Sequence, residues 1–190
     1  MDAQELQQAQ DKGQIEEVVK APVVTPPPPA IAPKFEDYLV ELEWLRRNME
    51  NPIIAKVRPA SGQQAASTVA TKINLDTVIF ASKGITVDTA NNKIVIESAG
   101  KYLIIGQLYL QNPIANNSYE ADIYKNGSVA IIGKDIPAGA LNVTVRAVDV
   151  LDLAVGDYIE LYVYQQAGSN VNVYGGNEYY THLLITKLRI

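Results

Sequence analysis

Few residues of this 190-residue chain could do chemistry: it has one histidine, no cysteine and a small number of closely spaced carboxylates. Glu120 and Asp122, or Asp149 and Asp152, could bring oxygens together for Ca²⁺ or supply the two carboxyl groups of a glycosidase. Acids are also common in the turns between strands, so these pairs alone assign no site. His182 lies in an apolar stretch without a nearby Ser or Asp pair, which favours a histidine packed in a strand over a general base.

Other signatures of catalysis and cofactor binding are missing from the sequence. It has no Gly-x-Ser-x-Gly elbow and no glycine-rich phosphate loop. Its basic residues form no cluster of the kind that binds nucleic acid. Because there is no cysteine, disulfides and thiolate metal sites are excluded. We therefore predict a protein that is not an enzyme and that binds no cofactor, resident metal or nucleic acid, with a glycan-processing enzyme as the alternative.

Tyrosine is the enriched side chain, with eleven Tyr against two Phe and one Trp. A tyrosine offers a flat apolar area and a hydroxyl at small entropic cost, which suits contact with sugars or proteins. Good β-formers on a half-wet sheet surface are the simpler interpretation. If a host-surface glycan or protein is bound, the candidate contact residues are Tyr158, Tyr162, Tyr164, Tyr174, Asn177 and Tyr179.

Charged residues and prolines are distributed unevenly along the chain, which divides it into regions of different composition. Residues 1–50 hold ten acidic and five basic side chains, so they carry all of the net charge of −5. Six of the ten prolines lie between residues 22 and 33, which favours polyproline II of about 40 Å at the usual rise per residue. Residues 1–34 are predicted to be an arm with a proline-rich spacer, which either orders on a partner surface or is an inert terminus.

The same sequence predicts neither a membrane span nor a secretory signal. The longest apolar runs are far shorter than the roughly 20 residues that cross a bilayer. The N-terminus has neither a basic start nor an apolar stretch before a small-residue cleavage site. We therefore expect synthesis without classical secretion.

Residues 35–51 change to a helical pattern that begins with acids and ends with Arg46 and Arg47, an order that suits the helix dipole. Four apolar residues with heptad-like spacing predict a short amphipathic helix, which packs on its own domain or forms a self-associating collar. The collar residues are Tyr38, Leu42, Leu45 and Met49. Residues 52–70 are predicted to be a linker.

Strand-like runs alternate with turn residues through residues 71–190, which predicts an all-β sandwich or jelly roll. The Asn126-Gly127 pair between two β-rich runs predicts a tight hairpin. The predicted runs are 72–80, 93–97, 101–111, 119–125, 128–132, 142–151, 157–166 and 180–190.

Two of these runs carry apolar side chains on both faces. In run 101–111 one face holds Tyr102, Ile104, Leu108 and Leu110, and the other still offers Leu103, Ile105 and Tyr109. A strand of a two-layer sandwich faces its own core on one side only, so the second face needs another cover. The simplest cover is another copy of the chain. The predicted interface residues are Leu103, Ile105, Tyr109, Leu183 and Ile185.

Four short motifs in the right order make residues 71–190 resemble the C1q/TNF-like jelly roll. They are Ala99-Gly100-Lys101-Tyr102-Leu103-Ile104, similar to Gly-x-Tyr-x-Phe; Ile123-Tyr124-Lys125-Asn126-Gly127; the segment from Leu151 through Gly156-Asp157 to Leu161, similar to Leu-x-x-Gly-Asp-x-Val-x-Leu; and Tyr180-Thr181-His182-Leu183-Leu184-Ile185, similar to Phe-Ser-Gly-Phe-Leu-Leu. His182 stands where the family prefers Gly, and no collagen repeat precedes the head. The resemblance implies a compact homotrimer.

The order of acidic arm, proline spacer, short helix and trimeric β head resembles virion proteins of tailed phages. That resemblance implies a homotrimeric head fiber or capsid decoration protein, located on the particle surface, which projects a jelly-roll head able to contact a host. Residues 1–34 would attach it to the capsid or another virion protein. A bacterial C1q-like surface adhesion or spore-coat protein and a tail receptor-binding tip are the alternatives.

Overall fold

Residues 52–189 are described by a computed structural model, and within them the chain forms thirteen β-strands and no helix. The predicted arm, the predicted helix and its collar residues (Tyr38, Leu42, Leu45 and Met49) lie outside the described residues. A helix long and apolar enough to cross a membrane is not found in the described part of the chain.

The strands alternate with short turns along the whole of this region. They are β1 (Ile54–Arg58), β2 (Gln63–Ala65), β3 (Thr71–Lys72), β4 (Thr77–Ala81), β5 (Ile85–Asp88), β6 (Lys93–Ile96), β7 (Gly100–Gln111), β8 (Tyr119–Lys125), β9 (Ser128–Asp135), β10 (Val143–Leu153), β11 (Tyr158–Gln165), β12 (Val171–Val173) and β13 (His182–Lys187).

Two sheets are built entirely from antiparallel pairs. The seven-stranded sheet has the order β2, β12, β7, β13, β1, β4, and β10 pairs with the opposite edge of β7. The six-stranded sheet has the order β5, β6, β11, β8, β9, and the short β3 also pairs with β11. An all-β sandwich is therefore confirmed for the described residues.

The core lies between the two sheets and takes alternate side chains from each. On β7, Tyr102, Ile104, Leu108 and Leu110 are fully buried, as the period of two predicts. The inward side chains of β11 in the six-stranded sheet, among them Leu161, belong to the same core. Burying each large aliphatic side chain contributes about 2 kcal/mol, so this alternation supplies most of the driving force for folding.

The Asn126-Gly127 turn joins β8 to β9 as predicted. Asn126 has φ 53° and Gly127 has φ 78°, and two successive left-handed residues make the type I′ turn whose twist matches a two-residue hairpin. The turn thereby fixes the register in which β8 and β9 pair.

The prediction that residues 52–70 form a linker is wrong. This segment contains β1 and β2, and β1 lies inside the seven-stranded sheet between β13 and β4. Its buried residues, Ala55 and Val57, belong to the core. Local sequence gave little sign of this strand because it is short, alternates with Lys and Arg, and finds its main partner at the other end of the domain.

Other differences concern the length and division of strands. The predicted run 72–80 is two strands in different sheets, because β3 pairs with β11 and β4 pairs with β1. The short strands β5 and β12 were not predicted. Both are four residues or fewer, too short to show a clear period.

The edges of the two sheets meet closely at Gly133 on β9. A Cβ built on Gly133 would lie 1.8 Å from the backbone carbonyl oxygen of Arg146 on β10. The neighbouring atom is backbone, which cannot rotate away as a side chain would. Only glycine therefore allows β9 and β10 to approach along this side of the sandwich.

We expect Gly133→Ala to lower the free energy of unfolding by about 2 kcal/mol or more, because β9 and β10 must separate to admit the methyl group. Thermal and urea unfolding measure the effect. Gly139→Ala is the matched control, because a Cβ there meets nothing within 4 Å. Equal stability of the two variants would contradict the close approach.

Candidate functional site

The outer face of the seven-stranded sheet is the side of that sheet that points away from the core, and its centre is apolar. Ile105 on β7 lies between Leu184 on β13 and Val148 on β10. The next row places Leu103 between Thr186 and Val150. Val148 is 52% exposed and Val150 is 42% exposed, so the described chain leaves this face partly uncovered.

Two of the predicted interface residues do not lie on this face. Leu183 and Ile185 are 0% exposed and pack in the core, opposite Gly106 and Ile104 of β7. Their assignment to the outward side is wrong by one residue, because the strand carries apolar side chains at three consecutive positions. The outward apolar side chain of β13 is Leu184, which the prediction did not include. Leu103, Ile105 and Tyr109 are on the outer face as predicted.

A cluster of three tyrosines lies on the same outer face, at the other end of β7 from Leu103. The ring of Tyr109 lies 4.5 Å from that of Tyr180 and 6.0 Å from that of Tyr174, between centroids. Tyr174 therefore belongs to the seven-stranded sheet rather than to a surface shared with β11. Asn177 and Tyr179 lie in the following connection, where the Tyr179 amide donates to Asn177 Oδ1 at 3.0 Å and the Tyr179 side chain is 74% exposed.

A polar row separates this cluster from the apolar rows. His182 and Arg146 flank Gln107 on β7, and Arg146 Nε donates to Gln107 Oε1 at 2.7 Å. Burial lowers the pKa of His182 to about 4, with Lys56 and Arg146 adding to the effect against a hydrogen bond with the Tyr180 backbone. Its buried Nδ1 has no hydrogen-bond partner in the described chain. With its pKa lowered to about 4, the His182 imidazole is a weak base.

The outer face of the six-stranded sheet carries tyrosines and carboxylates in alternation. Across β8 and β11 each acid lies opposite a tyrosine. The pairs are Tyr124 with Glu160, Asp122 with Tyr162, and Glu120 with Tyr164. We call these six residues the tyrosine–carboxylate lattice. Of the predicted contact residues, Tyr162 and Tyr164 belong to it, and Tyr158 follows on the same strand beneath the Lys93 ammonium, 4.7 Å from its ring centroid.

Two of the three carboxylates in the lattice have a cationic partner. Lys72 Nζ lies 2.5 Å from Glu160 Oε1, and Lys134 Nζ lies 3.1 Å from Glu120 Oε1. Asp122 is 5% exposed, and its buried Oδ1 has no hydrogen-bond partner in residues 52–189. Burial and the nearby Glu120 raise the pKa of Asp122 to about 6.

The other candidate carboxylates have structural partners. Asp152 Oδ2 lies 2.6 Å from Lys101 Nζ, and Asp149 Oδ1 accepts the Val150 amide at 2.7 Å. No group of three or more metal-ligating side chains is found within residues 52–189. Neither the Asp149 and Asp152 pair nor the Glu120 and Asp122 pair is therefore part of such a group.

The Gly156-Asp157 motif, one of the four motifs of the family resemblance, has a structural role. Asp157 accepts hydrogen bonds from the Asn126 side chain at 2.7 Å and from the Ala154 amide at 2.9 Å, and it pairs with Lys125 at 2.9 Å. These donors hold the pKa of Asp157 at about 2. The carboxylate joins two turns at one end of the sandwich.

Solved structures share this arrangement. Murine APRIL matches with a TM-score of 0.56 and 13% identity, covering 73% of this chain and all of that chain. The Eiger TNF protein of S. frugiperda matches with a TM-score of 0.53 and 11% identity, covering 74% of this chain and 94% of that one. The described residues fold as a TNF-like jelly roll. The resemblance predicted from the four motifs is confirmed for the fold.

Sequence comparison adds a different relative. The Phage-like element PBSX protein XkdV of Bacillus subtilis is 30% identical over 95 residues, a stretch that spans 46% of this chain and 14% of that protein. No family model matches the chain. The chain is therefore similar to a short segment of a much longer protein of a phage-like element.

His182 and Asp122 should make opposite contributions to stability on acidification. The unfolded chain protonates its histidine near pH 6.5, and the folded chain does so only at about 4, so stability falls as the pH drops through this window. Asp122 is protonated at about 6 when folded and near 3.8 when unfolded, so its contribution rises as the pH drops. Once the pH has passed both pKa values of a group, its contribution to the free energy of unfolding has changed by about 3 kcal/mol. In the wild-type protein the two contributions have opposite sign and offset each other.

Single variants should expose the two effects. From about pH 7 to about pH 4, Asp122→Asn should lose more stability than the wild-type protein, and His182→Gln should lose less or gain. Urea unfolding at both pH values measures the difference, with the wild-type protein as the reference for all other titrating groups. Parallel pH profiles for the three proteins would contradict the assigned shifts.

Proposed function

We propose that the chain is a non-enzymatic homotrimeric structural protein of a phage virion, either a head fiber or a capsid decoration protein. The observation that carries the proposal is the apolar outer face of the seven-stranded sheet, which residues 52–189 leave partly uncovered, in a TNF-like jelly roll. TNF-like proteins are homotrimers. The similarity to a protein of a phage-like element supports the virion setting.

The apolar rows give the trimer its physical basis. Leu103, Ile105 and Leu184 are half-buried at the centre of the face, and Val148 and Val150 are exposed beside them. Phe80 is also exposed on this face, but Lys56 on β1 separates it from Leu184. Monomeric proteins seldom leave a continuous apolar patch of this kind in water. In a threefold arrangement each of the three copies would bury its apolar patch against a neighbour. Such a ring is closed, so no further copy can be added.

The predicted arm, residues 1–34, would attach the trimer to the capsid or to another virion protein. Three arms on one head raise the effective concentration of each attachment once the first has bound, without any new contact. The jelly-roll head then projects from the particle surface.

Light scattering on the full chain should give about 62 kDa, three times the chain mass of 20.7 kDa. Ile105→Asp should shift it towards the monomer mass, because a charge in the centre of the apolar face must be desolvated on assembly. Val69→Asp is the matched control, since Val69 is exposed in the connection between β2 and β3, away from the apolar rows. A wild-type monomer, or a trimer that tolerates Ile105→Asp, would refute the proposed interface.

A second experiment separates the head from the preceding segments. A chain of residues 52–190 should remain trimeric, because it contains every strand of both sheets. A chain of residues 67–190 should fail to fold, since it lacks β1 from the interior of the seven-stranded sheet. Circular dichroism and light scattering measure the two outcomes. If the 52–190 chain folds but does not assemble, the contacts that hold the trimer together require the residues before 52.

A further inference from the structure

The tyrosine–carboxylate lattice lies on the sheet opposite the proposed trimer interface, and the trimer does not require it. Its six residues are consecutive outward positions of two adjacent strands, β8 and β11. Outward positions of a sheet usually carry lysine, threonine or other well-solvated side chains. Here Asp122 and Glu160 are instead almost fully buried, at 5% and 6% exposure, beside tyrosine rings.

The central carboxylate of the lattice lacks a donor. Lys72 satisfies Glu160 and Lys134 satisfies Glu120, while Asp122 Oδ1 has no partner in the described chain. A buried acceptor left unpaired destabilises the folded state, and more so when it is charged. Groups of this kind concentrate at functional sites, where a ligand supplies the missing hydrogen bond.

The two tyrosines next to Asp122 stack on each other. The rings of Tyr124 and Tyr162 stack with centroids 4.1 Å apart and an interplanar angle of 28°. Tyr162 on β11 is the direct cross-strand neighbour of Asp122 on β8. Tyr124 lies on β8 as well, two residues after Asp122. Stacking covers one side of each ring and fixes its orientation.

The charge of the lattice restricts what it can bind. Three carboxylates against the two partner lysines, Lys72 and Lys134, give a net charge of −1. An anionic ligand would be repelled by the unpaired Asp122. A neutral polyol supplies what is missing: hydroxyl groups that donate to a carboxylate, and an apolar C–H face that packs on an aromatic ring.

We propose that the outer face of the six-stranded sheet binds a neutral saccharide, with Asp122 accepting hydrogen bonds from its hydroxyl groups and Tyr124 and Tyr162 packing on its C–H face. The site does not depend on the trimer. Only its biological role, attachment to a host-surface glycan, rests on the proposed virion function.

The test is a glycan array probed with the full chain at about pH 7, followed by calorimetry with the best neutral oligosaccharide of glucose, galactose or N-acetylhexosamine units. Asp122→Asn should weaken binding by about tenfold or more, the loss expected for a hydrogen bond to a charged acceptor. The same variant should be more stable than the wild-type protein at that pH, since it removes a buried charge. Weaker binding in a more stable protein cannot come from unfolding.

Tyr162→Ala should also weaken binding, and Leu141→Ala should leave it unchanged, because Leu141 is an exposed side chain outside both the lattice and the candidate contact residues. The proposal is overturned if no neutral saccharide binds, if only anionic glycans or choline bind, or if Asp122→Asn and Tyr162→Ala bind as the wild-type protein does. Light scattering on the same samples tests the trimer separately, so a monomer that binds saccharide would refute the proposed assembly and leave this site standing.

Discussion

The hydrogen-bonded pairing of β7 with its neighbours is the interaction on which the rest of the structure depends. β7 is the longest strand, with β10 along one edge and β13 and β12 along the other. Because side chains alternate across a strand, this pairing sorts the residues of three strands at once into a core set and an outward set. The inward set closes the sandwich. The outward set is apolar enough to require a cover that residues 52–189 do not fully provide.

The two outer faces differ in chemistry, although both belong to antiparallel sheets of one domain. One presents apolar rows and a tyrosine cluster that suit a second copy of the chain. The other presents carboxylates recessed among tyrosine rings. A half-buried histidine lies on the first face and a buried carboxyl group on the second, and their pKa values are displaced towards each other. The domain can therefore hold two costly ionisable groups with little net effect on its response to acid.

Sequence reasoning succeeded where local pattern decides structure. The alternation in residues 101–111 separated core from outward side chains, and Asn126-Gly127 set a hairpin. It failed at residues 183–185 because three consecutive apolar side chains fit either face. It also missed β1, whose partners lie far along the chain. The pairing of Asp122 with Tyr162 depends on the register of two separate strands, and no local pattern encodes that register.

The position of β1 has a mechanical consequence for the domain. Ile54 pairs with Thr186, and the Lys187 amide donates to the Ile53 carbonyl at 2.8 Å, so the chain enters the head beside the end of β13. A pull transmitted from residue 53 to the far end of the sandwich runs along β1 and loads its bonds to both neighbouring strands in shear. A pull between residue 53 and residue 187 peels the same bonds apart one after another. The head should therefore resist drag on its distal end far better than tension on a segment joined after β13.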